Sequence, residues 1–422
     1  MMLFTIAILF GLLLALLYAF SRSLLFPAMV FVGTWTLTLG TLALVQDSFY
    51  SVSLKTLAIY LVGALAFSAG CLLLAGAIPR EFARIELPEG RQRTARVLLD
   101  LGFVAAVIGF PFFVRYVTAP IGGLEAPNLL ALLRYANLES AGRFSGFNPM
   151  NNLPLLARFV AYGMVLENDG TRGRRLRAYL AATLAIVYGL LTGSKAALVS
   201  ILMVAFFIDA IKKQRLDFRR TVAVLAILII FFAGGLLLVN YWWLTNYAAL
   251  TDLMPDIAWT TELYWLSGVV AFDQVVQHPA AIESRQNVSR IFVETANSFG
   301  AKLYLPDLNA SFTTVSPRQD VADMNVYTIY FSYFKDPGWA GMIALMLVVG
   351  AASTLVYKLA LAKYPIAIVL YGVLAEAAVL SFHGEHYFFG LNQIVKLSIF
   401  LAIIYHLPAL LVRRRQRVAG VA

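Results

Sequence analysis

The sequence predicts an all-α polytopic membrane protein, and three observations carry that reading. Of 422 residues 60% are hydrophobic and only 13% are charged, where soluble domains carry about 25% charged residues. Apolar runs long enough to cross a hydrocarbon core of about 30 Å, roughly 17 to 25 residues each, recur along the chain. The runs are continuous rather than alternating, and lipid offers no partners to backbone amides, so they read as helices and not as barrel strands.

Eleven spans are predicted, at about 3–20, 25–46, 56–78, 97–118, 153–166, 177–192, 195–211, 221–239, 337–357, 364–384 and 389–411. The first has no basic segment before it and no small-residue cleavage site after it, so it reads as a membrane helix rather than a cleaved signal. Alternate connections hold the basic residues: Arg22; Arg80 to Arg96; Arg172 to Arg177; Lys212 to Arg220; Lys358 and Lys363; and Arg413 to Arg417. Together they contain 21 of the 33 Lys and Arg, all on one side, which the positive-inside rule makes cytoplasmic. The expected N-terminus is then outside, the C-terminus inside, and the location the bacterial cytoplasmic (inner) membrane. The net charge of +10 belongs to these anchoring loops and calls for no nucleic-acid partner. Cys71 is the single cysteine, so no disulfide within the chain is available.

Three regions follow: spans one to eight over 1–239, with an outer loop at about 119–152; a large extracytoplasmic loop over 240–325; and the last three spans with a basic tail over 326–422. The large loop has 86 residues, with nine acids against four bases. It opens on the aromatic Tyr241-Trp-Trp-Leu, and 281–296 reads as a helix with Ile282, Val288, Ile291 and Phe292 on its apolar side. Arg285 and Arg290 lie five residues apart, so they diverge by roughly 140° around that helix. The loop therefore reads as a lid or acceptor-guiding wall rather than a self-contained site.

Two segments resemble the Wzy-type O-antigen polymerases, the oligosaccharide repeat-unit polymerases of bacterial surface polysaccharides. Leu191-Thr-Gly-Ser-Lys-Ala-Ala-Leu-Val-Ser200 looks like the family's small-residue Ser-Arg turn opening a membrane helix, with Lys195 in place of Arg. Asn325-Val-Tyr-Thr-Ile-Tyr-Phe-Ser-Tyr-Phe-Lys-Asp-Pro-Gly-Trp-Ala-Gly341 is similar to its Asn-x-Tyr-Thr followed by Tyr-x-x-Asp-Phe-Gly-x-x-Gly, with Pro337 in place of Phe. The resemblance implies an all-helical, C-type (GT-C-like) membrane glycosyltransferase. Its donor and acceptor would be polyprenyl-diphosphate-linked oligosaccharides, its neighbours a flippase and a chain-length regulator, and it would need no cofactor. It also implies aromatic sugar contacts from Tyr327, Tyr330 and Tyr333.

Such a transfer needs cations to neutralise the departing diphosphate and a base to take the acceptor proton. The candidate cations are Arg143, Arg158, Lys195, Arg285, Arg290 and Arg318. Arg158 stands out, because about five residues inside a span an unpaired charge costs at least ~2.5 kcal/mol; the alternative is that it snorkels to the interface. The candidate bases are Asp336, whose structural alternative is a helix N-cap, and His383, Glu385 and His386 in the outer turn Ser381-Phe-His-Gly-Glu-His386. The His-x-x-His spacing lacks a third ligand, so no metal is assigned. Glu376 and Lys396 lie about 12 and 10.5 Å inside antiparallel neighbours, which predicts an intramembrane ion pair.

Two rival readings stand beside this one. An O-antigen ligase shares the architecture but typically has a His where this chain has Asn325 to Tyr327, and no His occurs between His278 and His383. A transporter or flippase of a lipid-linked sugar usually shows repeat symmetry and mid-membrane charges along its route, whereas the ionisable residues here gather toward the outer surface.

Overall fold

The structure, a computed structural model, describes residues 2–79, 82, 88–119, 149–192, 195–217, 219–224, 226–227, 250–278, 292–293, 296–297, 300–303, 313–317, 323–324, 326–335, 337–388 and 390–418. Apolar runs become helices wherever the sequence leaves the backbone no other partner: α1 (Met2–Ser21), α2 (Pro27–Leu44), α3 (Leu54–Ala77), α4 (Glu89–Thr118), α5 (Pro149–Leu166), α6 (Arg172–Leu191) and α7 (Lys195–Lys213). After them come α8 (Leu250–Gln277), α9 (Ile329–Phe334), α10 (Gly338–Leu361), α11 (Pro365–Val379) and α12 (Leu391–Val418). Proline opens α2 and α11, where a first-turn amide has no partner to lose.

Among the described residues six helices are long and apolar enough to cross a membrane: α1, α2, α3, α4, α10, and α11 with its 3₁₀ extension to Phe382. This supports an all-α membrane protein with a smaller set of qualifying spans than the eleven expected. The three helices α5, α6 and α7 form where spans five to seven were expected, but charged and polar residues such as Arg158, Arg172 to Arg177 and Asp209 dilute them. Of α12, the stretch Leu391–His406 is apolar, and the side chains beyond it lie outside the described residues. The expected span at 221–239 lies almost entirely outside the described residues.

Glycine decides which helices approach most closely. A Cβ on Gly70 of α3 would lie 2.1 Å from the Leu347 carbonyl oxygen of α10, and one on Gly350 would lie 2.2 Å from the Phe67 carbonyl oxygen of α3. Contacts advance in the same direction along both helices, with Lys358 Nζ donating to the carbonyls of Ala75, Ile78 and Pro79, so α3 and α10 run parallel. A second group is antiparallel: α4 and α5 meet at Gly102–Val160, Gly109–Leu153 and Gly163–Leu99. Helix α11 joins the two groups, packing on α2 and α10 on one side and on α5, α7 and α12 on the other.

One end of the bundle is covered by α8, α9, the ribbon of Thr313–Thr314 paired with Asp323–Met324, and the turn after α11. Within the large loop, expected to form a lid or wall, α8 presents a buried face including Leu266, Val269, Val270 and Phe272 to this end. Asp273, one of the loop's nine acids, is wholly buried. It accepts from the Ser53 amide at 2.9 Å and the Ser53 hydroxyl at 2.5 Å, while Ser53 itself caps α3 by accepting from the Thr56 amide. A carboxylate at a helix N-terminus is favoured by the helix dipole, so this acid ties the covering helix to α3. The helix expected at 281–296 lies largely outside the described residues.

Gly70→Ala and Gly350→Ala are each expected to destabilise the detergent-solubilised protein by about 1–3 kcal/mol, the cost of overpacking a tight contact. Gly76→Ala, with nothing within 4 Å of the added methyl, should leave thermal stability unchanged or raise it. Equal melting temperatures for all three variants would refute the close approach of α3 and α10.

Candidate functional site

Two polar clusters form near the covered end, and the turn after α11 belongs to the first. Ser381 fixes that turn: its hydroxyl donates to the Ala378 carbonyl at 2.7 Å and accepts from Trp35 Nε1 at 2.9 Å. Glu385, buried behind it, accepts from the Tyr333 hydroxyl at 2.8 Å, from the Tyr387 amide at 2.8 Å and from the Phe388 amide at 2.9 Å. These bonds occupy the carboxylate and let it bridge the turn to α9, which lies 52 residues earlier in the chain.

His383 and His386 lie on the same turn with ring centroids 6.3 Å apart. Burial keeps both imidazoles neutral: His383 falls below the ordinary 6.5, and His386 is pushed down to about 4 by burial and then by its neighbour His383. His386 Nε2 is buried without a hydrogen-bond partner among the described residues. A Cβ on Gly384 would come within 3.3 Å of that nitrogen, so the glycine leaves the imidazole its room. A neutral imidazole with a free basic nitrogen can accept a proton, whereas Glu385 is committed to holding the turn.

The three tyrosines of the aromatic segment are buried. Tyr330 packs between Trp35 and Tyr60, at centroid distances of 4.9 and 5.1 Å, and donates to the Tyr60 carbonyl, which makes it core rather than an open sugar platform. Tyr327 stacks on Phe331 at 4.4 Å, its hydroxyl 2.8 Å from Thr313 Oγ1. Tyr333 serves Glu385. Burial raises the phenol pKa of all three above the ordinary value.

The second cluster lies among α5, α7, α11 and α12. Arg158 of α5 donates from Nη1 to Gln393 Oε1 of α12 at 2.9 Å, and its buried Nε has no partner among the described residues. Arg158 and Tyr162, one turn apart on α5, and Ser200 of α7 make up the polar surroundings of the buried Glu376 of α11. The expected pairing of Glu376 with Lys396 is not formed: among the described residues no ion pair joins them, and the cation whose charge acts on Glu376 is Arg158. Depth arithmetic placed the two residues at one height, but it could not fix which way around the helix axis each points.

Lys195 opens α7 at the expected position, and its side chain lies outside the described residues. So do Asp336, Arg143, Arg285, Arg290 and Arg318. The residue at the N-cap of α10 is Pro337, with no side-chain cap bond. Tyr162, Ser200 and Gln393 were missed by the sequence reading. The four-residue spacing of Arg158 and Tyr162 could have flagged Tyr162, while the other two reach the cluster only through packing.

No protein-family model matches the chain, and no curated protein or solved structure shows significant similarity to it.

Tyr333→Phe should cost about 1.5–3 kcal/mol, since it removes a hydrogen bond to a buried charged group. For His386 the sign follows from a folded value below the unfolded one. The unfolded chain takes up the proton first, so this stability is present above pH 6.5 and is lost as pH falls toward 4. Thermal melts from pH 4 to 7 should show a steeper acid loss for the native protein than for His386→Gln; parallel curves would refute a buried neutral imidazole.

Proposed function

We propose that this chain is a membrane glycosyltransferase that polymerises lipid-linked oligosaccharide repeat units, as in O-antigen synthesis, at the outer face of the bacterial cytoplasmic membrane. The covered end would face outward and the basic loops the cytoplasm. The observation that carries the reading is the Tyr333–Glu385 bond. It joins the aromatic segment 325–341, which resembles the polymerase family, to the His-bearing turn, and it leaves His386 Nε2 as an unoccupied basic nitrogen beside that junction.

In this reading an acceptor sugar hydroxyl attacks the anomeric carbon of the donor glycan. The new glycosidic C–O bond forms as the bond from that carbon to the diphosphate breaks. The diphosphate leaves on its polyprenyl carrier with its charge met by Arg158, and the hydroxyl proton passes to His386. Glu385 holds the turn that presents the imidazole. His386 is neutral in the free protein and so can accept a proton, and the charge of a bound diphosphate would raise its basicity above the low value that burial sets. A flippase delivering the repeat units and a chain-length regulator are the expected neighbours in the membrane.

Deleting the gene should leave surface glycans bearing a single repeat unit, seen as loss of the ladder on a polysaccharide gel. Complementation with His386→Ala should restore no ladder, at a protein level equal to that of the native chain. Unchanged long chains in the deletion strain would overturn the reading, and a full ladder from His386→Ala would overturn the assignment of the base.

A further inference from the structure

At the end of the bundle away from the covered one, α4 and α6 begin side by side. The Arg177–Asp100 ion pair at 2.9 Å and the Tyr188 hydroxyl on the Ala106 carbonyl at 2.8 Å advance in the same direction along both, so the two helices are parallel. Over 89–100 and 167–177, around these two helix starts, the chain places seven arginines against four acids. A base at a helix N-terminus opposes the helix dipole, and α6 has no acid in its first turn and no side-chain cap. This surplus works against both helices unless an anion answers it.

An open pocket of about 330 Å³ lies between the two starts, with Arg96, Arg174 and Arg177 on its walls and the buried Leu99 and Met164 lining it. Each guanidinium is held from one side by a carboxylate: Arg96 by Glu167 and Arg177 by Asp100, both at 2.9 Å, and Arg174 by Asp169. A guanidinium has five donors, and among the described residues Arg174 and Arg177 spend one each on these pairs. Both are therefore positioned, and both keep most of the fork that suits a phosphate. The apolar lining selects an anion that carries hydrocarbon. Beside the pocket, Val97 and Leu101 of α4 and Leu176 and Leu180 of α6 are exposed, a surface along which acyl chains can lie. We infer that this pocket binds the headgroup of an anionic phospholipid from the adjoining leaflet, with its phosphate between Arg174 and Arg177. The bound lipid braces α4 against α6, and through Glu167, which also accepts from Tyr405 at 3.0 Å, it steadies α12. The inference is independent of the glycan-transfer reading.

The test uses the full-length protein in detergent micelles and reads lipid retention by native mass spectrometry. Phosphatidylglycerol is the anionic probe, phosphatidylcholine the control without net charge, and inorganic pyrophosphate the free anion. The native protein should hold phosphatidylglycerol about fivefold or more tighter than phosphatidylcholine, and its melting temperature should rise with the anionic lipid alone. Arg174→Gln combined with Arg177→Gln should erase that preference. Arg93→Gln combined with Arg172→Gln removes the same charge from exposed positions on the same two helices, outside the pocket, and should change binding by less than about twofold. Arg177→Lys keeps the charge opposite Asp100 but loses the planar fork, so it should weaken binding about threefold, and it carries the comparison if the double variant does not accumulate. Equal losses from the pocket pair and the exposed pair would mean general attraction to a basic surface and would overturn the site. Equal affinity for the two lipids would overturn it as well. Displacement of bound phosphatidylglycerol by millimolar pyrophosphate at constant ionic strength would overturn the lipid as ligand and make the pocket a site for a soluble polyphosphate.

Discussion

The close parallel approach of α3 and α10 at Gly70 and Gly350 is the constraint on which the rest of the structure depends. Between membrane helices the hydrophobic effect supplies little, because lipid tails are as apolar as leucine, so association rests on van der Waals packing and a few buried polar contacts. Two glycines without Cβ atoms let each backbone meet a carbonyl of the other helix. The Cys71 thiol donates to the Gly350 carbonyl at 3.2 Å in the same seam. At the covered end, Gly63 makes room for the Tyr330 ring, whose edge would otherwise lie 2.1 Å from a Cβ. The seam therefore sets how deeply α9 enters the bundle, and with it whether Tyr333 can reach Glu385. The position of the turn after α11 therefore depends on a backbone contact between α3 and α10.

The two ends of the bundle are closed by different means. At the end bearing the basic loops, helix C-termini are satisfied by lysines from neighbouring helices. Lys358 donates to three carbonyls after α3, and Lys212 donates to the carbonyls of Val165, Leu166 and Asn168 after α5. A cation at a helix C-terminus meets both the unpaired carbonyls and the negative end of the dipole. Arg96 and Tyr405 add a bridge through Glu167, at 2.9 and 3.0 Å. At the covered end the pattern inverts, with the carboxylate of Asp273 at the N-terminus of α3 and that of Glu385 on two turn amides. Lysines thus close helix C-termini at one end, and carboxylates meet helix and turn amides at the other.

Apolar run length placed α1, α2, α3, α10 and α11 within about five residues at each end and the C-terminal end of α4, which starts eight residues before its expected span, because in lipid a continuous hydrophobic segment has one backbone solution. Partners across the bundle were less legible. The reading found Arg158 by its cost and Glu376 by its depth, but it joined Glu376 to the wrong cation, since run length carries height and not azimuth. It placed Tyr330 as a sugar contact on the strength of an aromatic segment, whereas glycine spacing on α3, read together with that segment, would have pointed to a ring packed in a helix seam. Asp273 was invisible as a structural acid because nothing local distinguishes it from the other acids of its loop; only the fold brings it to Ser53.

The turn after α11 links the two polar clusters. Its amides and Glu385 face the covered end, but Tyr387 turns the other way. Its ring lies 6.4 Å from Phe67 of the α3–α10 seam, and its buried hydroxyl sits in the field of both Glu385 and Glu376. Burial first, and then the neighbouring Cys71 and Glu385, raise the phenol well above its ordinary value, so it stays protonated. A shift of the turn would therefore move His386, the Glu385 latch and this phenol together. The turn that carries His386 and Glu385 therefore packs, through the next residue Tyr387, on the α3–α10 seam, so a displacement of that seam is felt at the turn.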